Sequence, residues 1–101
     1  MVTRTLRFGE LVIDLEHYQV LLDDFPVVLS YRDYGLLVYL ASRIGQVVSK
    51  RQLMEEAFGR HDPAGLKVVD EHIRHLKRLL ERPGHQLIVA EGDSAYRVVE
   101  T

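Results

Sequence analysis

Lys67, Glu71, Arg74 and Arg78 follow one another at steps of four, three and four residues, a spacing that stacks them on one stripe of an α-helix, with His75 beside Arg74. Basic side chains so arranged can reach phosphate oxygens and guanine edges together. The plainer use of such a stripe is a solvated face. Glu71, in its centre, repels phosphate unless it accepts from a cytosine amine; its ordinary role is an ion pair with Arg74 or His75. His72 and His75 are spaced to share a metal, but neither His61 nor His85 stands at a fitting distance to be a third ligand. Ser30 and Ser49 read as helix caps rather than nucleophiles, and Asp33 suits the dipole of a first turn. Tyr31, Tyr34 and Tyr39 read as packing groups rather than a stacking platform for single strands. No catalytic site, cofactor or metal is expected.

The charged stripe needs a helix with an opposite apolar side. Val69, Ile73, Leu76 and Leu80 supply one, predicting a helix from Leu66 to about Arg82, stopped by Pro83-Gly84. Arg60–Gly65 reads as the loop before it. A shorter helix, Lys50 to about Ala57, is capped by Ser49, turns Leu53, Met54 and Ala57 inward, and closes at Phe58-Gly59. A first helix starts at Ser30, where Asp33 nearly completes a capping box. Its face is Tyr34, Leu37, Val38, Ala41 and Ile44, widened by Leu36 and Leu40, with Gly45 at its C-terminal end. Tyr34, Leu37, Ala41, Leu53, Ile73, Leu76 and Leu80 are the expected core between the helices.

Strands flank these helices. Leu6–Phe8, Leu11–Ile13, Tyr18–Leu22 and Phe25–Leu29 read as a small antiparallel meander, the last two joined through Asp23-Asp24. Pro26 confines its strand to an edge or to a start after the proline. Val47-Val48 is extended. Leu87–Ala90 and Tyr96–Val99 form a hairpin around a five-residue tip, Glu91–Ala95. Two short helices, a longer one and a hairpin make the winged helix-turn-helix order, in which the third helix enters a major groove and the hairpin lies along the adjacent minor groove.

The length, 101 residues, fits one domain spanning 1–101, and 47% apolar residues suffice for a core. The absence of cysteine excludes disulfides and thiolate chemistry and fits a reducing cytoplasm. Met1–Glu10 lacks the apolar stretch of a signal peptide, and no apolar run is long enough to span a bilayer. A net charge of −2 does not advertise a nucleic-acid binder, but its distribution is uneven. Residues 66–86 carry five basic and three acidic side chains, whereas residues 1–29 carry two and five, so a polyanion is attracted to one face only.

Three segments resemble the C-terminal effector domain of OmpR/PhoB-family response regulators. Leu29–Leu40 is similar to the family's Leu-Thr/Ser-x-x-Glu-Phe-x-Leu-Leu-x-x-Leu. Gly45–Leu53 is similar to Gly-x-Val-Val-Ser-Arg-x-x-Leu, and Val69–Lys77 to Val-Asp-Val-His-Ile-Arg-Arg-Leu-Arg. The resemblance runs from Leu6 to Val98. It implies an α+β fold: a winged helix-turn-helix with an N-terminal four-stranded antiparallel sheet, three helices and a C-terminal β-hairpin wing. It implies sequence-specific binding to double-stranded promoter DNA as the output of a two-component phosphorelay, with Asp70–Arg82 in the recognition helix. Lys67, Glu71, Arg74, His75 and Arg78 take the groove positions, Lys50 and Arg51 approach the backbone from the second helix, and Tyr96 and Arg97 belong to the wing. Further implied partners are RNA polymerase at loop 58–65, a receiver domain upstream, and a second copy on direct repeats. Three departures stand out: Val68 where Thr is frequent, Glu71 where the family has a small apolar residue, and an acidic tip, Glu91 and Asp93, where the wing is usually basic. They leave a second reading, a winged helix that has become a protein-interaction module with weak or no DNA binding.

Overall fold

The computed structural model describes residues 4–99, so the ends of the 1–101 domain, 1–3 and 100–101, lie outside the described residues. Strands β1 (Thr5–Phe8), β2 (Leu11–Asp14), β3 (Gln19–Leu22) and β4 (Phe25–Val27) form an antiparallel sheet in chain order. The register sets Leu6, Ile13, Val20 and Val27 in one row, which packs on the helices. Asp23 and Asp24, with φ of 52° and 68°, make the tight turn that suits a right-twisted hairpin. Pro26 lies in the edge strand β4, as its missing N–H requires.

Helix α1 spans Tyr31–Ala41 and starts where Ser30 Oγ accepts from the Asp33 amide at 3.1 Å. It ends four residues before the expected Gly45. Ser42 turns its hydroxyl back onto the Val38 carbonyl, and the Gly45 amide is drawn to Val98 O of the wing sheet. Ile44 therefore sits outside the helix, exposed rather than in the core. Tyr34 is half-buried rather than central; it packs edge-on against Tyr18 and donates its hydroxyl to Asp14 O.

Strand β5 (Val48–Ser49) leads into α2 (Lys50–Gln52), which continues as a π-helical stretch over Leu53–Ala57. Helix α3 spans Ala64–Leu80, two residues earlier at its start than composition indicated. Gly65 is the reason. It is buried, and a Cβ there would lie 2.6 Å from Met54 Sδ, so it serves the close approach of α3 to the π-helical stretch rather than a loop. At the other end α3 stops at Leu80, before Arg82. The Glu81 carboxylate leaves the helix to accept the Leu87 and Ile88 amides at 2.7 and 2.8 Å, fixing where the wing begins. Arg82 pairs with Asp23 of the β3–β4 turn and is not part of the helix.

Strands β6 (Ile88–Glu91) and β7 (Ala95–Val98) form the hairpin. Glu91 pairs with Ala95 in the ladder, so the tip is three residues, 92–94, rather than five. β5 adds to β7, giving a three-stranded sheet in the order β5-β7-β6. The core joins both sheets and all the helices: Ile13 and Val20, Leu36, Leu37 and Leu40, Leu53, the α3 row Val69, Ile73, Leu76 and Leu80, and Ile88 and Val98. This is the α+β winged helix-turn-helix fold. No described helix is long and apolar enough to cross a membrane.

Candidate nucleic-acid interface

Because Val69, Ile73, Leu76 and Leu80 are all buried, the phase of α3 is set, and Lys67, Glu71, Arg74 and Arg78 face solvent together. Among the described residues none of these four has a side-chain hydrogen bond or an ion pair, although all four are helical neighbours. Arg51, at the start of α2, is likewise exposed and unpaired, and lines a crevice with Lys50, Asp70 and Asp93 between α2, α3 and the wing tip.

The remaining expected contact residues are engaged inside the protein. Lys50 Nζ pairs with Asp70 of α3 at 3.0 Å, and its backbone N–H donates to Ser94 O of the wing. The Gln52 amide is taken by Ser49 Oγ. The Lys50 and Gln52 amides at the start of α2 are thus taken within the protein, and Lys50 is an internal strut rather than a free cation. Tyr96 donates its hydroxyl to Asp70 at 2.5 Å. Burial, then this bond to a carboxylate, pushes the Tyr96 phenol well above its ordinary pKa, so it stays a donor. Arg97 donates Nε to Glu91 at 2.6 Å across the hairpin, so one of the two acids near the tip is spent on the wing's own arginine. Asp93 is the exposed one.

His75 is also bonded within the fold through Nδ1, with its side chain 45% exposed. The Asp33 carboxylate is fully buried, and it accepts from His72 Nδ1 at 2.5 Å and from His75 Nδ1. Burial raises the pKa of Asp33, but the two imidazole bonds outweigh it and hold the carboxyl below its ordinary range. An ionised carboxylate only accepts, so each Nδ1 carries its proton. Asp33 therefore clamps α3 to α1 rather than closing a capping box. His72 also meets the Phe58 ring edge-on, and the Arg32 guanidinium lies over the same Phe58 ring. Among the described residues no group of three or more metal-ligating side chains assembles.

The sequence reading passed over Asp33 and Asp70 as contact hubs. A signal existed for the first. Asp33 lies three and four residues before Leu36 and Leu37, on the buried face, where a carboxylate needs partners.

Residues 24–98 match the family described as "Transcriptional regulatory protein, C terminal". The chain is 35% identical over 83 residues to the two-component response regulator PhoP of Pseudomonas aeruginosa, covering 82% of this chain and 37% of PhoP. It is 34% identical over 77 residues to the transcriptional regulatory protein SrrA of Staphylococcus aureus, covering 76% of this chain and 32% of SrrA. It thus spans about a third of the length of these curated relatives. The Klebsiella pneumoniae RstA DNA-binding domain, solved in complex with the RstA box, superposes with a TM-score of 0.85 at 28% identity, over 97% of this chain and 99% of that one. With the sheet, the clamped α3 and the wing in place, the chain belongs to the family of transcriptional-regulator C-terminal domains, of the OmpR/PhoB winged-helix type.

Proposed function

We propose that this domain binds double-stranded DNA at promoters in a sequence-specific way, as the output domain of a two-component response regulator acting in the cytoplasm. The observation that carries the reading is the α3 stripe: Lys67, Arg74 and Arg78 are exposed and free of internal ion pairs, while neighbouring charges are neutralised within the fold. Cations left unpaired on a helix beside a wing fit a phosphate backbone and a major groove. The RstA neighbour, solved on its box, supports the same placement. A receiver domain upstream, a second copy on direct repeats, and RNA polymerase at loop 58–65 are the further partners of this reading. That loop is stiffened by a two-point ion pair between Arg60 and Asp62.

The test is the salt dependence of duplex binding. Among the described residues Arg51, Lys67, Arg74 and Arg78 are exposed cations on this face without an internal ion pair. Four phosphate contacts give a log–log slope of about −3.6, and fewer give a shallower one. Arg74→Ala should weaken binding by about 1–3 kcal/mol where it reads a base edge. Binding indifferent to salt, or absent at low salt, overturns the reading. The Glu91–Arg97 pair favours the second reading, an interaction module, because it withdraws the wing's arginine from a minor groove. Absence of duplex binding at low salt would make that reading the better one.

A further inference from the structure

Glu71 stands in the centre of the α3 stripe, between Lys67 one turn before and Arg74 one turn after. It is exposed, and among the described residues its carboxylate has no hydrogen bond and no ion pair. Its neighbour four residues on, His75, directs Nδ1 to Asp33 instead. The ordinary explanation of an acid on a basic helix face, pairing with an adjacent cation, is therefore not realised here. A carboxylate left unpaired on a face turned to DNA is repelled by phosphate and must find a donor.

Major-groove edges offer two kinds of donor, the cytosine N4 amine and the adenine N6 amine. Guanine presents only acceptors there, and thymine an acceptor and a methyl group. Adenine N7 lies beside its amine and repels a carboxylate, which has no proton to give it. Cytosine has no acceptor next to its amine on the groove edge. We propose that Glu71 is a specificity-determining residue that accepts from a cytosine N4 amine, so that each half-site bound by this domain carries an obligatory cytosine at the position facing the middle of α3. This rests on the proposed DNA binding and deepens it. Arg74, one turn further on, suits a guanine O6 and N7 pair next to that cytosine.

The experiment is selection of duplexes from a randomised pool by the wild-type domain and by Glu71→Gln and Glu71→Val, with each variant's melting temperature recorded. Position 71 is exposed, so both variants should melt like wild type. The wild type should enrich a motif with one invariant cytosine, disfavouring the other bases there about ten- to a hundredfold. Glu71→Gln, which can both donate and accept, should change that position to adenine and leave the rest of the motif intact. Glu71→Val should change it to thymine or to no preference. An unchanged cytosine in both variants overturns the role of Glu71 while leaving DNA binding standing. Retention of duplex without any enriched motif also overturns it. Failure of all three proteins to retain duplex at low salt overturns both this inference and the proposed function.

Discussion

The Tyr96 hydroxyl of β7 donates to the Asp70 carboxylate of α3 at 2.5 Å, and the Lys50 ammonium of α2 reaches both oxygens of the same carboxylate, at 3.0 and 3.2 Å. One aspartate thereby holds the wing, α2 and α3 in register. Lys50 and Tyr96, both expected to contact DNA, instead tie α3 to α2 and to the wing.

Asp70→Asn should loosen this junction. It removes a charge-assisted partner from a half-buried ammonium and weakens the tyrosine bond, for about 1–3 kcal/mol. Tyr96→Phe removes one hydrogen bond and should cost about 0.5–1.5 kcal/mol. Urea denaturation measures both. Equal losses in the two variants would show that Lys50 contributes nothing through Asp70.

Asp33 couples stability to pH. Its folded-state pKa is depressed by the His72 and His75 bonds, which overcome the opposing effect of burial. The unfolded state then binds more protons as pH falls, so the contribution is complete above the ordinary aspartate value of 3.8 and fades as pH drops through the lower folded value. Wild type should exceed Asp33→Asn by about 2–3 kcal/mol at neutral pH. That gap should narrow only below the ordinary value. A gap constant down to strong acid would show that the carboxylate charge is not what the clamp uses.

Leu76 is wholly buried on α3, and truncation to alanine should cost about 2–5 kcal/mol. The check is the denaturation midpoint. A loss near zero would shift the phase of α3 and take the outward stripe with it.

Glu91→Gln should release Arg97 from its ion pair. Duplex binding should then tighten, mainly without sequence preference, by about 1 kcal/mol or less at low salt and less at high salt. Titration of wild type and variant on one random duplex at two salt concentrations measures this. No change at either concentration means that the wing's arginine does not approach DNA.

Periodicity made the helices and their faces legible. The apolar row Val69, Ile73, Leu76 and Leu80 predicts the phase of α3 because burial on a helix follows its turn, and the exposed stripe is its complement. Ser30 and Ser49 mark helix starts because capping is a contact over three residues. Asp23-Asp24 and Pro26 place a turn and an edge for equally local reasons. Tertiary structure decided which charges remained free. Asp33 finds His72 and His75 across 39 and 42 residues, and Asp70 finds Lys50 and Tyr96 across 20 and 26. A side chain's type states what it can bond, but whether that capacity is spent depends on which distant element packs beside it. Lys50, His75 and Tyr96 are engaged for that reason, Arg97 is held by Glu91 within its own hairpin, and Lys67, Glu71, Arg74 and Arg78 are left open to solvent.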